Sequence, residues 1–311
     1  MKKRYLLFPL ILFLYLGSYL PFPFRVYEGE TNTAPYIQTD VEKPMVIVIA
    51  SFNNKKYYKH NLDSVFSQDY SNFRVIYTSD ASTDGTAELV RSYVKEKGFE
   101  EKFTLIDNKV NMGACYNCYT MIHSARNDEI VCILDGDDAL ANDQVLKRVN
   151  AAYADDHVWM TYGGIYPKQV DSFNQLKTDK VEKMYINKMS KSLPVAKKML
   201  EERAHRRSSY QIHHLRTFYT GLFNSIPKEC WLFFGDFFAS KWDIALVYYL
   251  IDRAGDHVYC IEDSLYEYNV DNPINVFRKG RIKRLPVYFK IKYFSKKLPP
   301  YSSKKDFLGD I

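Results

Sequence analysis

Three carboxylates fall within four residues at Asp135-Gly136-Asp137-Asp138, directly after the apolar run Ile130–Leu134 (IVCIL). Carboxylates this close repel one another unless a cation neutralises them. Hard divalent ions such as Mg2+ or Mn2+ take such oxygen ligands and fill the rest of their shell with phosphates. The loop is no EF-hand, because the required Gly and the closing Glu are missing and Leu140 and Gln144 stand nearby instead. No Walker A loop occurs, which excludes a P-loop nucleotide hydrolase. Taken alone, the cluster reads equally well as a solvated turn whose Asp residues cap a helix starting near Asn142. It gains weight from company: Ser51-Phe52-Asn53, Ser79-Asp80 and Asn108–Gly113 follow three other apolar runs.

The elements that must hold these residues are readable from the pattern. Apolar runs of strand length occur at 45–50 (MVIVIA), 73–78, 103–106, 130–134 and 158–162. Amphipathic stretches at 57–68, 85–97, 114–125 and 142–154 separate them, with Ser82-Thr83-Asp84 supplying caps for the second. Strands alternating with helices predict βαβ units and a mostly parallel, Rossmann-like α/β sheet. In such a sheet ligands bind at the carboxyl ends of the strands, where the polar residues lie. Beyond Gly163-Gly164 the pattern loosens. Helical spacing returns at 214–223 and 241–254, and strand-like pieces at 258–261 and 264–269.

The segments IVIASFNN (47–54), SVFSQDY (64–70), SDASTDGT (79–86), NMGACYN (111–117) and ILDGDD (133–138) resemble the family 2 glycosyltransferases, in order and at plausible spacing. HLRTFYTGLFNSI (214–226), WDIALVYYLIDRAG (242–255) and LYEYNVDNPIN (265–275) resemble the acceptor-side half of a bacterial and viral subgroup. The resemblance implies a GT-A fold, a nucleotide-sugar donor, with UDP the expected nucleotide, and a DXD metal motif binding Mn2+ or Mg2+. It places Ala50, Phe52, Asn53 and Asp80 at the nucleoside pocket, Asp80 facing the base. Asn111, Gly113 and Asn117 pass close to the nucleotide. Asp135 and Asp137 form the DXD pair across Gly136, touching ribose and metal, with Asp138 completing the acidic set in support. His214 and Arg216 reach the donor diphosphate. Asp243 stands where such enzymes place the catalytic base. Two positions depart from the family pattern: Ser79 replaces the first of two acids, and Ala50 replaces a Pro.

The implied reaction is a single displacement with inversion. The metal offsets charge on the leaving diphosphate, and a carboxylate deprotonates the acceptor hydroxyl of a glycan, lipid or protein. Asp243 opens the helical pattern 242–255, where a helix dipole favours negative charge. It is equally placed to be a plain N-terminal cap. Asp236 is the rival base, with Glu262 and Asp263 behind it. Two other functions fit less well: a sugar nucleotidyltransferase, which needs a Gly-rich basic triphosphate loop where only Lys55 and Lys56 stand, and a non-catalytic carbohydrate-binding protein on the same fold.

Composition sets the frame. The 311 residues are 46% apolar and 26% charged, which excludes a disordered chain or a polytopic membrane protein. The net charge of +6 sits at the ends: Lys2, Lys3 and Arg4, and eleven Lys/Arg with no acid over 278–305. A nucleic-acid binder carries its cations on the body, so no nucleic-acid partner is expected. Residues 5–24 are uncharged and long enough to span a bilayer, which predicts a signal anchor over 1–25 and a single-pass membrane protein, with a cleaved signal peptide or a buried helix as alternatives. A polar stem (26–43), a catalytic domain (44–275, donor half to 165, acceptor half from 166) and a basic aromatic tail (276–311) complete the layout, the tail read as solvated with some helix and, alternatively, as a membrane-surface or anionic-acceptor contact. The five cysteines are scattered and odd in number, so no disulfide framework or four-thiolate zinc site is expected. Cys115 and Cys118 read as core thiols.

Overall fold

The run MVIVIA becomes a strand with no exposed residue because helices cover both faces of the sheet it centres. The computed structural model describes residues 29–167, 194–207, 212–270, 272 and 297–309. In chain order the first part of the chain holds β1 (Met45–Ser51), α1 (Tyr58–Phe66), β2 (Phe73–Asp80), α2 (Thr86–Lys97), β3 (Phe103–Asn108), α3 (Ala114–His123), β4 (Ile130–Asp135), β5 (Ala139–Leu140), α4 (Val145–Tyr153) and β6 (Met160–Pro167). There follow α5 (Lys197–Glu201), β7 (Arg216–Tyr219), α6 (Thr220–Asn224), β8 (Leu232–Phe233), β9 (Asp236–Phe237), α7 (Trp242–Ala254), β10 (Val258–Tyr268) and α8 (Lys305–Leu308).

The main sheet has the order β3-β2-β1-β4-β7-β6-β10-β5. β1 pairs in parallel with β2 and β4, β2 with β3, and β6 with β10. This is the mostly parallel α/β sheet expected from the pattern. Local chemistry agrees in detail: Asp84 Oδ1 accepts the Thr86 N–H at 3.1 Å to start α2, and Gly98 at φ 69° ends it. All five cysteines are free, four of them buried.

Residues 214–223 differ from the helical expectation. Arg216–Tyr219 forms β7, antiparallel to both β4 and β6 and wedged between them, and only Thr220–Asn224 is helical. The reason is tertiary: Thr217, Phe218 and Tyr219 are buried, and β-branched and aromatic residues suit a strand with neighbours on both sides.

The ends of the body also differ. Residues 29–43 are not a free stem. Ala34 N–H donates to Cys260 O at 2.7 Å, Cys260 N–H to Asn32 O at 2.8 Å, and Asn150 Nδ2 to Val41 O at 2.9 Å. Residues 297–309 of the expected solvated tail are docked. Leu298 and Phe307 are buried, and Leu298 N–H donates to the buried Asp252 at 3.0 Å. The Phe307 carbonyl lies so close to Gly221 that a Cβ there would stand 2.1 Å from its oxygen. The expected anchor, residues 1–25, lies outside the described residues. Among those described, no helix is long and apolar enough to cross a membrane.

Candidate active site

The carboxyl ends of β1, β2, β3 and β4 lie side by side and carry the expected polar residues. After β1, Asn53 takes a positive φ of 53°. Its N–H donates to Ser82 Oγ at 3.0 Å, and its Oδ1 accepts the Thr83 N–H at 2.9 Å, so Asn53 ties the first loop to the second. The Ala50 carbonyl accepts the Gly136 N–H at 3.2 Å, and Phe52 is 40% exposed beside it.

Asp80 organises the loop after β3. Its carboxylate accepts from Met112 N–H and Gly113 N–H, both at 2.8 Å, and from Asn108 Nδ2 at 2.9 Å. Asn111 Nδ2 donates to the Asp80 carbonyl at 3.1 Å, and the buried Asn117 accepts from Asn108 at 2.9 Å. Burial pushes the Asp80 pKa up, but these hydrogen bonds outweigh it and hold the group below the usual carboxylate range. Val110 and Met112 expose 68% and 43% of their surface on this loop.

The acidic loop is the most heavily braced part. Gly136 packs against the β1 end so tightly that a Cβ would stand 2.7 Å from Ser51 Cβ and 2.8 Å from Asn54 Nδ2. Asn61 of α1, fully buried, donates to the carbonyls of Asp135 at 3.0 Å and Asp138 at 2.8 Å. The Tyr266 hydroxyl of β10 accepts the Asp135 N–H at 3.1 Å and donates to Asp138 Oδ2 at 2.7 Å. Asp138 Oδ1 accepts the Asn269 N–H at 2.7 Å. Asp138 is therefore buried with both oxygens engaged by protein, which suits a brace and leaves ligation to its neighbours.

Asp135 and Asp137 are half-buried and open. Asn272 Nδ2 donates to Asp137 Oδ2 at 2.6 Å. Burial, the Asp137 charge and Asp243 push Asp135 up to about 7, against the pull of Arg216. Burial also raises Asp137, against the Asn272 hydrogen bond. Two close carboxylates held above their usual range by burial and mutual repulsion form a donor set that a hard divalent cation would relieve. Among the described residues no three His, Cys, Asp or Glu gather into a ready cage. Two carboxylates suffice where phosphate oxygens supply the remaining ligands.

Because β7 runs antiparallel to β4, its first residue lies beside the end of β4: Arg216 pairs with Ile133. Arg216 is buried, and its Nη2 lies 3.9 Å from Asp243 Oδ2. His214 packs its ring 4.5 Å from that of Tyr266. Burial and the neighbouring Arg216 and His213 hold His214 well below its usual value, so it meets any ligand as a neutral ring. Asp243 stands in the first turn of α7 with 40% of its side chain exposed, after Lys241 at φ 61°. Asp236 is exposed on the β8–β9 hairpin. Asp263 pairs with Arg148 at 2.6 Å, and Glu262 is exposed.

The sequence profile described as Glycosyl transferase family 2 matches residues 46–229, more than half of the chain and all four strand ends. The chain belongs to glycosyl transferase family 2. This glycosyltransferase is similar to TuaG of Bacillus subtilis, a putative teichuronic acid biosynthesis glycosyltransferase, at 30% identity over 34% of this chain and 41% of that one. It is similar to an uncharacterized glycosyltransferase of Haemophilus influenzae at 27% identity, over 38% and 45% of the two chains. The chain thus spans less than half the length of these curated relatives. Among solved structures it resembles the mannosyltransferase PcManGT of Pyrobaculum calidifontis, in complex with GDP-Man and Mn2+: TM-score 0.57, 18% identity, 94% of this chain and 73% of that one. TarS of S. aureus in complex with UDP-GlcNAc gives TM-score 0.53 at 15% identity, over 85% and 70%. These similarities establish the GT-A-like fold, and the family establishes a glycosyltransferase.

The acidic loop is also braced by residues that carried no assignment in the sequence. Tyr266, Asn269 and Asn272 lie within the segment LYEYNVDNPIN, whose similarity to the subgroup was visible while its roles were not. Asn61 sits mid-helix in an amphipathic stretch, and a buried Asn on an apolar face was its only signal.

Proposed function

We propose that this glycosyltransferase moves a sugar from a nucleoside diphosphate donor to an acceptor hydroxyl with inversion, in a divalent-metal-dependent reaction with Asp243 as the general base. The observation that carries this is the meeting of Asp135, Asp137, Arg216 and Asp243 at one end of the sheet. UDP-sugars are the first donors to test. The GDP-Man and UDP-GlcNAc complexes of PcManGT and TarS support a nucleotide-sugar of either base, and the Mn2+ of the first supports the metal.

Asp135 and Asp137 would hold Mn2+ or Mg2+, which supplies positive charge to the leaving diphosphate. The loop built on Asp80, Asn108, Asn111 and Gly113 shapes the nucleoside pocket, with Phe52 and Met112 at its rim. Arg216 adds fixed positive charge from β7, where burial removes water that would screen it. Neutral His214 offers a hydrogen bond without a second cation. Asp243 takes the proton from the attacking hydroxyl, and its half-open position at a helix N-terminus lets an acceptor approach. Its place beside Arg216, and its push on Asp135, favour it over Asp236, which shows neither contact.

A screen of nucleotide sugars for chelator-sensitive turnover tests the reading. Asp137→Asn should abolish turnover, and Asp243→Asn should keep donor binding while stopping transfer. Full transfer by both variants refutes the roles. The apolar run 5–24 supports membrane attachment of the full chain, and recovery of all the activity in the salt-washed soluble fraction would refute that attachment.

A further inference from the structure

The hairpin β8–β9 turns on Phe234-Gly235, with φ of 55° and 93°. Such two-residue turns normally carry Asn-Gly, because L-residues with a bulky side chain rarely adopt positive φ. Here the position holds a phenylalanine that is 91% exposed. A ring that water does not favour thus occupies a backbone position that the turn does not favour. Neither burial nor turn stability accounts for it, which is the pattern of a surface kept for a ligand.

Pairing sets what lies beside the ring. Leu232 pairs with Phe237 and Phe233 with Asp236, so the two pairs point to opposite faces. Phe237 faces the body, 5.3 Å from Tyr116 and 5.1 Å from Tyr119 of α3, the helix that opens at Gly113 in the donor pocket. The other face carries Asp236, exposed, next to Phe233, whose ring backs that of Phe234 at 4.4 Å. Seven residues further on the chain reaches Asp243. The hairpin therefore packs on the helix that opens at Gly113 and leads in the chain to the helix that carries Asp243.

We propose that this hairpin tip is the acceptor-sugar platform of the enzyme: Phe234 stacks on the C–H face of a pyranose while Asp236 accepts hydrogen bonds from its hydroxyls. The ring's negative π face attracts polarised C–H groups, and sugar hydroxyls satisfy a carboxylate that stays wet. A lipid surface fits less well, because Asp236 beside the ring is an acid, which a bilayer excludes and anionic headgroups repel, while the nearby Lys228 ammonium lies over Phe237 on the face turned to the body. The inference rests on the proposed transfer reaction, which fails separately if no nucleotide sugar is turned over.

Saturation-transfer NMR on the full chain tests it, with methyl β-glucoside, methyl α-mannoside and methyl N-acetyl-β-glucosaminide as probes. Saturation of the aromatic protons should pass to ring protons of at least one probe. Phe234→Asn should cut that transfer about fivefold or more. It should also leave the melting temperature unchanged or raised, since Asn suits the turn, so loss of folding cannot mimic the result. Phe234→Trp should restore the transfer. Absence of transfer to every probe, or equal transfer in Phe234→Asn, overturns the proposal. So does a Phe234→Asn variant that loses co-sedimentation with phosphatidylglycerol-containing vesicles while its sugar signal is intact.

Discussion

Tyr266→Phe removes one oxygen from the middle of the acidic loop. That oxygen accepts the Asp135 N–H at 3.1 Å and donates to Asp138 Oδ2 at 2.7 Å. Burial and the charges of Asp137 and Asp135 raise Asp138 well above the usual carboxylate range, against the Tyr266 and Asn269 hydrogen bonds, so the bond to Asp138 contributes ~1–3 kcal/mol, and an orphaned N–H adds ~1 kcal/mol. The ring still fills its site, so no cavity term enters. The expected loss is about 2–4 kcal/mol, which lowers the melting temperature by roughly 5–15 °C at this domain size. The functional effect is larger than stability alone conveys, because the same bonds fix the backbone that aims Asp135 and Asp137. A loosening that withdraws ~1.4 kcal/mol from metal capture raises the metal requirement about tenfold. Differential scanning calorimetry and Mn2+ titration of donor turnover read the two effects. A variant that melts within about 1 °C of the parent and needs no more Mn2+ refutes the bracing role.

Other variants probe the frame. Gly136→Ala should push the acidic loop off Ser51 and Asn54, cutting donor turnover about tenfold or more with a smaller loss of stability; metal-dependent kinetics beside urea unfolding separate the two. Gly221→Ala should destabilise despite a helix-propensity gain of ~1 kcal/mol, because its Cβ collides with the Phe307 carbonyl. Tryptic cleavage at Lys304 and Lys305 should quicken, and a raised melting temperature would contradict the docking. Glu129, buried beneath Arg74 at 2.7 Å and 2.9 Å, should cost about 2–3 kcal/mol as Glu129→Gln, below the usual figure for a buried pair because Arg74 is one-third exposed. Burial raises the Glu129 pKa, but Arg74 and Arg126 more than offset it and hold it below 4.5. A depressed acid stabilises the fold above its unfolded value and loses that contribution as pH falls through the folded one. Urea unfolding should therefore show the parent–variant gap shrinking below about pH 4.5, and a gap constant with pH would refute the linkage.

The donor half was legible because its information is local. Strands buried on both faces must be apolar runs, and residues 45–50, 73–78 and 130–134 each became one. The carboxylates of the acidic loop are neighbours in the chain, so their proximity needed no fold. β7 was illegible because Leu215, Phe218 and Leu222 keep helical spacing, and only the slot between β4 and β6 makes Arg216–Tyr219 extended. The bracing by Asn61 and Tyr266 joins residues far apart in sequence, and such pairings leave no local pattern. The same holds for residues 29–43, polar enough to read as a stem, whose backbone bonds to β10 and α4 exist only after folding.

The wedge of β7 also sets an order of events on the ribosome. β4 and β6 emerge early, yet the strand that satisfies the facing backbone groups of both ends at Tyr219, roughly 80 residues after Asp135. At ~5–20 residues per second those two open edges wait for several seconds. Unpaired edges invite pairing with other chains, so the nascent donor half is an aggregation-prone intermediate with a sticky centre. A fragment cut at the boundary between the halves would keep that state permanently. The two parts of the chain share one sheet, and neither closes its strand edges without the other.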